Sequence, residues 1–253
     1  MGSIIEYSGC NLQIGFHKKS DFDFACKNHL AQKLREWKVK TISAHLPVDL
    51  DFKNLDEVRN YTIAIYKEFL ENNNIGNISL TLHPKYKMKL DYSAFNLPVF
   101  NLPPNLVISI ENFPYKRKKS LRTPLDIVEI CIKHYHFFMT LDLAHLQHYN
   151  LWLDEKILQH LLKYTSIIHL SNRSGGKTHI PIKEGDINIE RFLNNLKTNK
   201  WNGDIFLEYG ISYKDKLLKD LEWTKNFFEE YIILPAEKSK ALPPEFQKIN
   251  PLL

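Results

Sequence analysis

Three cysteines in 253 residues, Cys10, Cys26 and Cys131, leave little thiol chemistry to this chain. Their number is odd, they are widely spaced, and no CxxC pair occurs. This excludes a dithiol redox motif and a zinc ribbon, and it fits a reducing compartment better than a secretory one. Long apolar runs are also missing: no segment reaches the ~18 residues of a membrane span. Met1 to Cys10 lack the basic start and apolar stretch of a secretion signal, so a cytoplasmic protein is expected. Neither sign of charge dominates. Lys and Arg total 34 against 29 Asp and Glu, a net +5 that tolerates anionic ligands but falls far short of a nucleic-acid-binding stripe. Hydrophobic residues at 43% and charged residues at 25% exclude collagen-like and disordered classes.

What the sequence does have is a repeated alternation of short apolar runs and amphipathic stretches. The runs are Ile4 to Tyr7, Val39 to His45, Ile78 to His83, Leu106 to Glu111, Phe137 to Asp142, Ser166 to His169 and Asp204 to Glu208. They are short and rich in β-branched or aromatic residues, as strands are. Between them Phe22 to Trp37, Asp56 to Glu71, Pro124 to His134, Asp154 to Tyr164 and Ile187 to Leu196 carry apolar residues at spacings of three and four, the pattern of a helix with one buried face. Thr123-Pro124 and Asp154-Glu155 supply helix-start signals where the periodicity places them.

Successive strand-terminal polar residues stand 38, 28, 31, 27 and 39 positions apart from His45 through Glu208, one βαβ unit each time. Such units make a parallel sheet with right-handed crossovers, and at this length a TIM-type (β/α) barrel is expected. Seven strands are evident, and an eighth either hides in Gly9 to Gly15 or is absent, leaving the barrel incomplete. The expectation is a single barrel domain over 1–234, closed by the helix Leu217 to Ile233, and a tail over 235–253 whose Pro235, Pro243, Pro244 and Pro251 forbid regular helix.

In a parallel barrel the C-terminal strand ends meet on one face. Six consecutive strands here end in His45, His83, Glu111, Asp142, His169 and Glu208, all of them metal-ligand types. Carboxylates and imidazoles without thiolates suit Mn, Zn or Fe(II). His145, just past Asp142, and His179, in the loop Ser171 to Asp186, share that face as a ligand, a substrate contact or a solvated histidine. The basic run Tyr115 to Arg122 reads either as a solvated loop or as a phosphate contact, and Ser174-Gly175-Gly176-Lys177 offers amides to a phosphate without a P-loop context. Phe113, Tyr115 and Tyr149 are candidates to stack on a sugar or a base.

Several ordered pieces carry a resemblance: Ser43-Ala44-His45-Leu46-Pro47, Leu82-His83-Pro84, Ile110-Glu111-Asn112, Leu141-Asp142-Leu143-Ala144-His145, Ile168-His169-Leu170-Ser171-Asn172, His179 to Asp186, and Leu207-Glu208-Tyr209. Over roughly 39–225 the chain resembles the xylose-isomerase-like TIM barrels, which include sugar and sugar-phosphate isomerases and epimerases and the endonuclease IV-type apurinic (AP) endonucleases of family 2. The resemblance implies a metal site of Glu111, Asp142, His169 and Glu208. It further implies a divalent ion, Mn or Zn with Mg or Co as further candidates, and proton transfer by Glu111 and Glu208, with His145 joining the catalytic set. In the endonuclease branch His45 and His83 complete a second site. His145, His179 and an aspartate two positions before the latter complete a third, and here that aspartate position is Lys177. A lysine ammonium repels a cation where a carboxylate would bind it.

The reading that follows is a divalent-metal-dependent isomerase or epimerase of a small sugar or sugar phosphate. The alternative is a zinc-dependent phosphodiesterase acting on abasic DNA, and a third class keeps the ligands but serves as a binding or assembly subunit. DNA is a partner only under the alternative, no membrane is involved, and a second copy of the chain is a candidate partner.

Overall fold

The computed structural model describes residues 11–50, 54–71, 78–83, 106–112, 123–134, 137–146 and 149–229. The strand expected at Ile4 to Tyr7, Cys10, Phe113, the run Tyr115 to Arg122 and the segment 235–253 lie outside these. The described residues fall into two compact units, one ending at Thr140 and one beginning at Leu141.

The first unit is a run of parallel strands. In order they are β1 (Asn11–Gly15), β2 (Lys40–His45), β3 (Ile78–Leu82), β4 (Leu106–Glu111) and β5 (Phe137–Asp142). β1 falls within Gly9 to Gly15, where an eighth strand was expected to hide, and its register on β2 shifts between Leu12 and Gln13. β3 is buried at every position, and β4 and β5 at nearly every one. That is the signature of a sheet covered on both faces, and it explains why these runs read as continuous apolar segments.

Helix α1 (Lys19–Lys27) and α2 (Leu30–Glu36) replace the single helix expected over Phe22 to Trp37. His29 lies between them in the left-handed region at φ 53°, and the Asn28 amide donates to the Phe24 carbonyl at 2.8 Å. The apolar spacing of three and four runs through both helices, so periodicity alone does not register the break. α3 (Leu55–Ile65) starts on the Asn54 side chain, which accepts from the Glu57 N–H, and passes into one π-helical turn, Tyr66–Leu70. That turn brings Phe69 against Phe16, ring centroids 5.5 Å apart, in a cluster with Phe22. α4 (Pro124–Lys133) opens as expected, with Thr123 and Asp126 capping one another and proline in the first turn.

The second unit takes in the last two residues of β5 and goes on to α5 (Tyr149–Trp152) and α6 (Glu155–Leu162), the latter capped by Asp154. Strand β6 (Thr165–Leu170) follows, and then an unanticipated antiparallel hairpin, β7 (Asn172–Ser174) and β8 (Lys177–Ile180). The Ser174 to Lys177 segment read as a candidate phosphate loop is the turn of this hairpin, with Gly175 at φ 58°. α7 (Ile189–Thr198) buries Ile189, Phe192, Leu193 and Leu196, one apolar stripe at helical spacing. β9 (Asp204–Leu207) pairs in parallel with β6, and α8 (Lys214–Glu229) ends the described chain. No helix among the described residues is long and apolar enough to cross a membrane.

One layer inside the first unit departs from the usual branched apolar filling. Side chains two residues apart share a face of a strand. Stepping back two positions from His45, His83, Glu111 and Asp142 gives Ser43, Thr81, Ser109 and Thr140, all of them fully buried. Thr140 Oγ1 donates to Ser109 Oγ at 2.7 Å, Thr81 Oγ1 lies 3.2 and 3.3 Å from Ser109 Oγ and Thr140 Oγ1, and Gln13 Nε2 donates to Ser43 Oγ at 2.8 Å. A hydrogen-bonded polar layer therefore lies directly beneath the strand-end residues.

Replacing Thr81 by Val keeps the shape but leaves neighbouring hydroxyls unsatisfied. We expect a loss of about 1–3 kcal/mol in urea unfolding, and an unchanged midpoint would show that the layer contributes nothing. Burial raises the Cys131 thiol, pushing its pKa up to about 12, whereas Cys26 is half-buried. In the native protein at pH 8, iodoacetamide should modify Cys26 and leave Cys131 untouched until the chain unfolds, as read by peptide mass spectrometry.

Candidate metal centre

In the first unit three predicted ligands meet. His45 closes β2, His83 follows β3 and Glu111 closes β4. Glu111 Oε2 lies 3.2 Å from His45 Nε2, and its Oε1 lies 3.8 Å from His83 Nε2, so each carboxylate oxygen faces a different imidazole. The two rings stand 6.2 Å apart at 60°. Glu111 is almost fully buried, and the neighbouring Asn112 N–H donates to the Thr140 carbonyl at 3.4 Å, tying the end of β4 to β5.

The second unit gathers the other five. Asp142, at the end of β5, is fully buried. Its Oδ1 accepts the His145 N–H at 3.1 Å, which leaves Oδ2 facing three imidazoles: His145 Nδ1 at 3.4 Å, His169 Nδ1 at 3.9 Å and His179 Nδ1 at 4.0 Å. His145 Nε2 lies 3.1 Å from His179 Nε2 with the rings perpendicular. Asp142, His145 and His179 each bring a ligand atom within 4.8 Å of the others. His169, fully buried on β6, places Nδ1 2.9 Å from Glu208 Oε2, while the Glu208 side chain remains 42% exposed just past β9. Glu208 thus joins a buried imidazole to solvent.

His179 sits on β8 rather than in an open loop, at φ 54°. Its carbonyl accepts from the Gly210 N–H at 2.8 Å, and Ser171 Oγ lies 3.4 Å from its Nδ1. Lys177, at the start of the same strand, is exposed. No carboxylate therefore comes from that position, and the aspartate that the resemblance assigns to the third endonuclease site is missing there.

The supporting roles of some residues are not visible in the sequence. The Arg173 guanidinium donates to the carbonyls of Ala144 at 3.4 Å and Leu146 at 2.7 Å, on either side of His145. The fully buried Asn172 amide donates to the carbonyls of Ile182 and Ile187 and accepts from the Ile187 N–H. A Cβ on Gly185 would fall 2.2 Å from Asn172 Oδ1, so glycine there lets the loop close over the clamp. These side chains bond to backbone, and backbone partners leave no pattern of residue types along a sequence. Tyr149 opens α5, and Phe113 and Tyr115 fall outside the described residues.

Within each unit the donor set is oxygen and imidazole nitrogen without sulfur, and its carboxylates Glu111 and Asp142 are buried. Such a set fits a divalent ion of borderline character, Zn or Mn. Outer partners such as Gly210 and Arg173 would fix the orientation of the histidines, as they do around metal ligands generally.

Residues 103–227 match the family model described as "Xylose isomerase-like TIM barrel". No curated protein matches the chain in sequence. Among solved structures, a D-tagatose 3-epimerase-like protein is 18% identical with TM-score 0.64, the match covering 89% of this chain and 90% of that one. The IOLI protein with a bound zinc atom is 14% identical with TM-score 0.60, over 88% and 90%. An AP endonuclease of family 2 from Brucella melitensis is 17% identical with TM-score 0.57, over 87% and 88%. At these identities the likeness speaks for the fold. The chain has the xylose isomerase-like TIM-barrel fold, and its residues 103–227 carry the sequence pattern of that family.

Proposed function

We propose that the protein is a divalent-metal-dependent isomerase or epimerase of a small sugar or sugar phosphate, acting in the cytoplasm. The observation that carries this reading is the unequal setting of its acidic residues. Asp142 and His169 are fully buried and Glu111 nearly so, while Glu208 combines contact with His169 with access to solvent. Two carboxylates in different environments suit a pair in which one group takes a proton and the other returns it. The neighbour named for tagatose epimerisation supports the substrate class.

On this reading Glu111, Asp142, His169 and Glu208 would hold the ion. When bound, such an ion polarises a carbonyl oxygen and acidifies the adjacent C–H. The Glu208 carboxylate accepts that proton, with His169 Nδ1 2.9 Å from its Oε2. Glu111, oriented by His45 and His83, delivers a proton to the same carbon. His145 contacts the substrate oxygens, its loop held by Arg173.

A second reading, phosphodiester cleavage at abasic DNA, draws on the imidazoles outside the four-residue set. His45 and His83 lie against Glu111, and His145 and His179 lie against Asp142. A neighbour bears the AP endonuclease name, while the exposed Lys177 weighs against a complete three-ion site.

Metal content per chain separates the two. Purified without chelator or added metal, the protein should carry about one Mn-like ion per chain under the isomerase reading, and two or more zinc ions would favour the hydrolase. Glu208→Gln should lower deuterium incorporation from D2O into ketohexoses or their phosphates by roughly 10²–10⁴-fold, with an unchanged circular dichroism spectrum. Retained exchange would sink the assignment of Glu208.

A further inference from the structure

We propose that Tyr209 and Asp220 form a positioning pair that ties Glu208 and the turn after His179 to one anchor on helix α8; this rests on the metal-site reading of those two residues. Three consecutive residues past β9 point in three directions. Glu208 Oε2 meets His169 Nδ1 at 2.9 Å. The Tyr209 hydroxyl accepts the Ile182 N–H at 3.0 Å and donates to Asp220 Oδ2 at 2.7 Å. The Gly210 N–H donates to the His179 carbonyl at 2.8 Å. Residues 209 and 210 thereby grip both ends of the segment 179–182, one through a side chain and one through the backbone.

Asp220 is what makes this grip directional. It sits in mid-helix with only 5% of its surface exposed, where a carboxylate is costly unless a donor meets it. The Tyr209 phenol is that donor. With the phenol's proton committed to Asp220, its lone pairs are aimed at the Ile182 N–H. The position of the His179 strand is then set relative to the Glu208 backbone rather than left to the hairpin alone. A hairpin as short as β7–β8 is marginal by itself, which gives the anchor something to fix.

The test uses Tyr209→Phe, Asp220→Ala and Asp220→Asn in the full chain, with Co(II) as the probe. Cobalt affinity, read from its visible ligand-field absorption, should fall ~10-fold or more in Tyr209→Phe and Asp220→Ala, and Asp220→Asn, which keeps an acceptor oxygen, should recover most of it. In metal-free protein, amide exchange over 178–184 should quicken in the first two variants. Wild-type cobalt affinity in Tyr209→Phe, or exchange that quickens only in 214–229, would overturn the pair. Should the unmodified protein bind no cobalt, the metal reading falls, and the exchange over 178–184 decides the pair by itself.

Discussion

Taking a carboxylate out of water costs several kcal/mol unless donors replace the lost hydration, and Asp142 is fully buried. Much of the second unit's local structure answers that cost. The turn after β5 brings the His145 N–H to one oxygen, and β6 and β8 bring imidazoles to the other. Arg173 and Asn172 then secure the segments that carry those imidazoles. Glu111 sets the same condition in the first unit, where His45 and His83 meet its two oxygens. Each carboxylate is thus held among imidazole nitrogens.

The buried hydroxyl layer extends this logic one step down the strands. A purely apolar layer under charged strand ends would place them against a surface unable to polarise in response. Ser43, Thr81, Ser109 and Thr140 give instead a set of small dipoles that can reorient, at the cost of needing one another as partners. The same two-residue period that aims the strand-end side chains to one face aims the hydroxyls there too, so the layer and the strand-end residues cannot be shifted independently.

Where each buried strand ran, the sequence announced it, because a strand covered on both faces reads as an apolar run broken by a polar terminus. Val39 to His45, Leu106 to Glu111 and Phe137 to Asp142 match their observed counterparts closely. The strand-end residues were legible for the same reason. The break between α1 and α2 was not, since His29 adopts a left-handed backbone that its neighbours' hydrophobicity does not encode. The hairpin β7–β8 is not legible in the sequence because every strand residue but Ile180 is polar and its strands are too short to show a period. Asn172 and Tyr209 fall inside motifs that carry the family resemblance, but their roles, like those of Arg173 and Asp220, are contacts to backbone or across long separations that nothing local marks.

The left-handed backbone at His179 has a consequence for how this site can diversify. At φ 54° a β-branched side chain is strained, while asparagine and glycine are at ease. Asparagine there would keep the carbonyl that Gly210 grips and the path of β8, yet remove the imidazole from Asp142. A single nucleotide change converts a histidine codon to an asparagine one, so the chain lies one mutational step from shedding this imidazole without remoulding the hairpin around it.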